Sequence, residues 1–262
     1  MALYLYIDRR SAVHQLHPTV KLAGMLCFFV AAFVSEQPAA LLPLAAGVVA
    51  LLVRSGALPN VRRLRILFVM VFVMTFVVWT LFYGRGEPWA RLGPIVLSGE
   101  AVEYALGMAL KLTTFLAVGT LFLSTTKVEE FAYALTRFGL PYKLGFTMTL
   151  AFRLVPAFVE SGFTVVQAQR CRGFDFDKGS LWQRLRRYIP VIVPVFIGAL
   201  RRADNMAMAL EARGFQRTTP RTSYQRYSFR LSDALAMALL IAVAALYVWL
   251  WWHGYTRIAA GL

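Results

Sequence analysis

Histidine, cysteine and acidic residues are scarce in this chain. There are three histidines, two cysteines, and 13 aspartates and glutamates against 28 lysines and arginines. Cys27 lies in an apolar run and Cys171 in a basic region, so they form no disulfide framework and read as reduced thiols on or below a cytoplasmic face. His14, His17 and His253 sit near the two ends. The chain has no Cys-x-x-Cys pair, no Gly-x-Ser-x-Gly elbow and no His-Glu-x-x-His. It also lacks a Gly-x-x-x-x-Gly-Lys-Ser/Thr loop, which excludes ATP hydrolysis by that route. Asp175 and Asp177 alternate with Phe174 and Phe176, but no histidine is near, and turn chemistry accounts for acids there. The expectation is therefore no catalytic residue, no metal site and no cofactor bound by this chain.

Apolar length is abundant. The sequence is 59% hydrophobic and carries a formal net charge of +15. A soluble domain so apolar would expose large sticky patches, whereas a polytopic membrane protein hides them in acyl chains. A membrane helix needs about 20 apolar residues to cross ~30 Å of hydrocarbon. Leu22 to Val34 and Ala39 to Val53, separated by Ser35 to Pro38, predict a tight helical hairpin. Ile66 to Tyr83, Ala101 to Ser124 and Leu231 to Trp252 predict three more spans. Glu103 and Lys111 interrupt the fourth and are expected to snorkel from its ends. Trp249, Trp251 and Trp252 place the end of the last span at an interface. Met1 to Lys21 has no signal-peptide pattern.

Basic residues set the orientation. Arg9, Arg10 and Lys21 precede the first span, and the first hairpin tip has none. Arg54, Arg62, Arg63 and Arg65 follow the second span, and Gly84 to Glu100 balances Arg85 and Arg91 against Glu87 and Glu100. Thr125 to Arg230 holds more than half of all lysines and arginines. The pattern predicts a multi-pass protein of a prokaryotic cell membrane, with its N-terminus cytoplasmic and its C-terminus outside. No basic helix with interleaved aromatics stands free of the apolar segments, so nucleic acid is not an expected partner.

The expected fold class is thus all-α, with about five spans and a cytoplasmic segment of amphipathic and coupling helices. Three regions follow: a bundle at 1–124, a coupling region at 125–230, and a last span with tail at 231–262. Within 125–230, Thr126-Lys127-Val128-Glu129 reads as a capping box, Val128, Phe131, Leu135 and Phe138 repeat at helical spacing, and Gly139 with Pro141 supplies a stop. Two longer helices are expected from near Pro156 to Arg172 and from near Pro194 to Arg213, each with proline in its first turn and glycine as its stop. Thr218 to Arg230 reads as a linker.

Those two helices end alike, in Arg172-Gly173-Phe174 and Arg213-Gly214-Phe215. Arginine suits the negative end of a helix dipole, and glycine the left-handed stop, so one copy would be unremarkable local chemistry. Two copies in one long basic insert point to a grip. An outward guanidinium holds carboxylates bidentately, and an aromatic beside it can fill a pocket. Arg172 and Arg213 are the candidate gripping residues, with Cys171 and Gly173 flanking the first and Ala212 and Gly214 the second. Ala199, Ala203 and Ala207 recur every fourth residue, where small side chains let a second helix approach. Met148, Met206 and Met208 suit either a core or a partner surface.

Five stretches in order resemble the T component of an energy-coupling factor (ECF) transporter. Leu16-His17-Pro18-Thr19-Val20-Lys21-Leu22 is similar to that family's Leu-Asp-Pro-x-x-Lys-Leu, with His17 where aspartate is common. Thr126 to Pro141 resembles its amphipathic segment, and Phe152-Arg153-Leu154-Val155-Pro156 the start of its first long coupling helix. Gln169 to Gly173 and Glu211 to Gly214 fall where the family has two X-Arg-X motifs, with Cys171 where alanine is common. The resemblance implies a non-catalytic subunit that joins two cytoplasmic ABC ATPase subunits, which hold ATP and Mg, to a small substrate-binding membrane protein, the S component. Arg172 and Arg213 would each dock in one ATPase, and the cargo would be a vitamin or transition-metal ion. The coupling region resembles the type shared among S components more than the dedicated type. Two alternatives are a permease subunit of a conventional ABC importer and a membrane-embedded lipid-modifying enzyme. The latter has only Asp175, Asp177, Asp204 and Glu211 to work with.

Overall fold

The computed structural model describes residues 6–9, 11–83, 88–92, 95–176, 180–215 and 227–256. The chain divides into two compact units, Met1–Leu140 with Tyr227–Leu262, and Pro141–Arg226. Each is described by itself.

The first unit is a helical bundle. Short α1 (Ala12–Gln15) leads to α2 (Pro18–Val34) and α3 (Pro38–Ser55), each opened by a proline, whose missing N–H is no loss in a first turn. α3 closes at Gly56 with φ +70°. α4 (Leu58–Arg63) precedes α5 (Arg65–Phe82), α6 (Gly99–Thr125), α7 (Val128–Arg137) and, after the second unit, α11 (Leu231–Trp252). α2 packs along α11 and α6, and α6 against α5 and α3. Val48, Leu52, Ala117, Val118 and Leu121 form one core cluster. Ala31, Ala32, Leu41, Leu44 and Tyr247 form another, with the Tyr247 hydroxyl donating to the Ala40 carbonyl at 2.8 Å.

The expected span boundaries hold to within a few residues for α3, α5, α6 and α11. α2 has 17 residues, ~26 Å at ~1.5 Å each, just under the hydrocarbon thickness. By length and composition, five helices among the described residues suffice to cross a membrane: α3, α5, α6, α11 and the helix Tyr142–Cys171 of the second unit. The number matches expectation, but its membership differs.

α6 is built for close approach, with Ala101, Ala105, Gly107, Ala109 and Ala117 all buried. A Cβ at Gly107 would collide with the Glu36 carbonyl oxygen in the α2–α3 turn. Lys111 does not snorkel from a helix end as expected. It is buried midway along α6, its ammonium 5.2 Å from the centre of the Phe33 ring. Glu103, nearer the start of α6, is exposed.

Three further features depart from the sequence-based expectation. The segment before α6 contains a two-stranded antiparallel hairpin, β1 (Pro88–Leu92) with β2 (Ile95–Ser98), a local addition to an otherwise helical fold. No capping box opens α7. Its N-cap is Lys127, because Thr126 already closes α6, donating its N–H to Phe122 O at 2.9 Å. The Thr126 hydroxyl is buried with no hydrogen-bond partner among the described residues. Finally, α7 packs on α2 and belongs to the bundle, which moves the unit boundary from residue 124 to Leu140 and, on the return, to Tyr227.

The second unit holds α8 (Tyr142–Cys171), α9 (Leu181–Arg187) and α10 (Ile189–Ala212). α8 does not begin near Pro156, nor α10 near Pro194; both prolines lie inside their helices. A proline removes one backbone bond, and apolar residues on both sides continue the helix through it. Of the expected linker, 216–226 lies outside the described residues, as does Asp177.

Candidate functional site

The two Arg-Gly-Phe ends are one structure made twice. Arg172 caps α8 with φ −83° and ψ 9°, and Arg213 caps α10 with φ −84° and ψ 4°. Gly173 and Gly214 follow in the left-handed region at +81° and +70°. The N–H of Phe174 donates to Gln169 O at 3.0 Å and that of Gly173 to Arg170 O at 2.9 Å. Phe215 N–H reaches Leu210 O at 2.9 Å, and Gly214 N–H reaches Glu211 O at 2.8 Å. This is the Schellman closure of a helix C-terminus. α7 and α11 end in the same way around Gly139 and Gly254, but with Phe138 and His253 at the cap. The glycine stop is therefore generic, and the arginine at the cap distinguishes α8 and α10.

Cys171, Arg172, Gly173, Ala212 and Arg213 are exposed, and Gly214 is half-buried. Each guanidinium extends from a helix C-terminus, whose partial negative charge favours it. Neither makes an ion pair among the described residues. The phenylalanines do not project as expected. Phe174 lies against Phe176 with ring centres 5.2 Å apart, and Phe176 is buried against Tyr188 at 5.3 Å. Phe215 packs on Phe146 at 4.6 Å. Both therefore fasten their helix ends to the unit, leaving the arginines as the exposed groups.

α8 and α10 run antiparallel. Phe146 meets Phe215, Phe158 meets the Arg202 guanidinium at 5.9 Å, and Phe176 meets Tyr188. Arg187 also donates to Asp175 O at 2.8 Å. Arg172 and Arg213 consequently lie at opposite ends of the pair. With 30 and 24 residues in the two helices, that separation is roughly a helix length, ~35–45 Å at ~1.5 Å per residue. Ala199 is half-buried, while Ala203 and Ala207 are exposed. The half-buried line of α10 runs through Val195, Ala199, Met206 and Leu210, beside the alanine stripe. Met148 is half-buried, and Met208 is exposed.

Sequence reasoning missed a polar cluster in the bundle. The His17 ring accepts the Thr19 N–H at the start of α2, and the His17 backbone N–H donates to Asp233 Oδ1 at 2.9 Å. Burial holds the His17 imidazole below its ordinary pKa, with Asp233 opposing. Burial, then Glu130 and Glu129, pushes the Tyr227 hydroxyl up to about 12. Lys21 and Asp233 were visible as charges at the edges of apolar runs, a signal that such a residue has a partner.

The architecture is that of a polytopic helical membrane protein carrying a separate antiparallel helix pair with an arginine at each tip. The chain belongs to the CbiQ (cobalt transport protein) family, whose model matches residues 9–224. It is similar to the energy-coupling factor transporter transmembrane protein EcfT of Bacillus selenitireducens, 32% identical over 92% of this chain and 93% of that one. EcfT of Thermosediminibacter oceani is also 32% identical, over 93% and 97%. A Bifidobacterium longum protein named as a putative ABC transporter ATP-binding protein matches at 32% identity over 90% of this chain but 32% of its own length. The resemblance to ECF transporter T components is thereby established across nearly the whole chain.

Proposed function

We propose that this chain transmits ATP-driven motion of two cytoplasmic ABC ATPase subunits to a membrane S component that carries a vitamin or transition-metal ion. The observation that carries the reading is the pair of like arginine tips at opposite ends of α8 and α10. Arg172 docks in a groove of one ATPase and Arg213 in a groove of the other, with Cys171, Gly173, Ala212 and Gly214 framing them. ATP and Mg are held by those partners. When nucleotide draws the ATPases together, the helix pair receives force at both tips. The similarity of a protein named as an ATP-binding protein to this chain over a third of its own length favours association with ATPases.

The helix pair is read as cytoplasmic. If α8 crossed the bilayer, Arg184, Arg186 and Arg187 of α9 would lie outside, against the usual distribution of positive charge. The N-terminus is then inside and the C-terminus outside, in a prokaryotic cell membrane.

Affinity purification in mild detergent tests the proposal. The wild-type chain retains two ATPase subunits and an S component. Arg172→Ala and Arg213→Ala each weaken ATPase retention by about 2–5 kcal/mol if the arginine meets a buried carboxylate, with membrane insertion unchanged. Full ATPase retention and full transport by the double variant would overturn it.

A further inference from the structure

Where the chain leaves the bundle for the coupling unit, and where it returns, it passes through one polar and aromatic cluster. α7 is the last element before the boundary at Leu140, and Tyr227 is the first bundle residue on the return. The His17 ring at the start of α2 meets Tyr133 of α7 at 5.9 Å, Tyr227 at 6.1 Å and Phe229 at 5.6 Å, centre to centre. Tyr133 and Tyr227 also touch each other at 4.8 Å. The Arg137 guanidinium lies 5.4 Å from the centre of the Tyr133 ring and donates to its hydroxyl at 3.2 Å. Asp233 is buried. One of its oxygens accepts the His17 N–H at 2.9 Å and the other the Arg230 N–H at 2.8 Å, fixing the start of α2 to the start of α11.

One turn further along α2, the Lys21 ammonium donates to Glu130 Oε2 of α7 at 2.8 Å and to the Thr125 carbonyl at the end of α6 at 3.0 Å. The Lys21 side chain is 3% exposed and that of Glu130 15%, so this pair is shielded from water and differs from a surface ion pair of little worth. Four helix termini are thus joined by directional contacts. The two core clusters of the bundle are made mainly of small and aliphatic side chains, whose contacts have no preferred bonding direction.

We propose that this cluster is the anchor through which displacement of the coupling unit enters the membrane bundle, with Lys21 and His17 as positioning residues. The proposal rests on reading Pro141–Arg226 as the coupling unit. A pull on α7 or on the segment entering α11 reaches the first turn of α2 through contacts that do not slip. From there it passes into α11, along which α2 packs.

Hydrogen–deuterium exchange on the complete complex, copurified with its ATPases, is the test, with ATP–Mg as the probe. In wild type, adding ATP–Mg changes exchange severalfold in α8 and α10 and also in residues 18–22 and 231–236. In the Lys21→Met/Glu130→Leu variant, which swaps the ion pair for apolar side chains of similar size, the response persists in α8 and α10. In the bundle it falls by roughly tenfold. Lys21→Arg, which keeps the charge, restores it. A bundle response of wild-type size in the double variant, or none in wild type, overturns the proposal. Should the double variant fail to assemble, Tyr133→Leu, with the ion pair intact, carries the same test, and an unchanged response there overturns it. Failure of the coupling reading looks different: wild type then retains no ATPase, or α8 and α10 themselves do not respond.

Discussion

Two glycines of α6, twelve residues apart in sequence, should respond oppositely to the same substitution. At Gly107 a methyl group meets the backbone oxygen of Glu36 and, at 3.5 Å, the ring of Pro38. That oxygen cannot swing aside freely. Glu36 and Gln37 both donate their N–H groups to Thr256 O, at 2.9 and 3.1 Å, which holds the α2–α3 turn in place. Gly107→Ala must therefore push α6 away from the turn, an overpacking strain of ~1–3 kcal/mol. The intrinsic helix preference of alanine returns up to ~1 kcal/mol, leaving a net loss of up to ~2 kcal/mol. At Gly119 the added methyl meets nothing within 4 Å, so Gly119→Ala keeps the propensity gain and raises stability by up to ~1 kcal/mol. Thermal unfolding in detergent, followed by tryptophan fluorescence, reads both. With ~2–4 °C per kcal/mol for a chain of this size, Gly107→Ala lowers Tm by up to ~8 °C, and Gly119→Ala raises it by a few degrees. Shifts of the same sign would refute the reasoning, since they would show that the turn does not constrain α6.

Two other outcomes follow from the geometry. Gly173→Ala and Gly214→Ala, at φ +81° and +70°, each cost ~1–2 kcal/mol of left-handed strain. Gly162→Ala and Gly198→Ala, in the same helices with open space around them, gain up to ~1 kcal/mol; limited proteolysis across α8 and α10 ranks the four variants. His17 is held below its ordinary pKa, so the fold favours the neutral ring. Its contribution is fully present above the unfolded value of ~6.5 and is lost as pH falls from there through the folded value. Tm should therefore drop between pH 7.5 and 5.5, and His17→Asn, which can still cap α2, should flatten that part of the profile.

The spans were legible because lipid demands long apolar helices and leaves few alternatives. The arginine-capped ends were legible because a left-handed glycine after a periodic helix has one common meaning. Pro156 and Pro194 misled because local rules favour proline in a first turn, while both helices tolerate one missing bond in their interior. Thr126 misled because two helix ends competed for one residue, and α6 won. Lys111 showed only as an interruption, since its burial depends on Phe33 coming alongside from another helix. The partners of Lys21 and His17 were out of reach for the same reason: Glu130 lies 109 positions from Lys21, and Asp233 lies 216 from His17. The roles of Phe174 and Phe215 likewise depended on Phe176 and Phe146, neither identifiable as a neighbour by helical period alone.

Two antiparallel helices whose tips are closed by the same hydrogen bonds and capped by the same side chain possess a local dyad, although the chain around them has no repeated sequence. An assembly that received both tips in like sockets would need those sockets set about a helix length apart. Lengthening α10 by one residue would rotate Arg213 by ~100° and advance it ~1.5 Å, breaking that match at one socket alone.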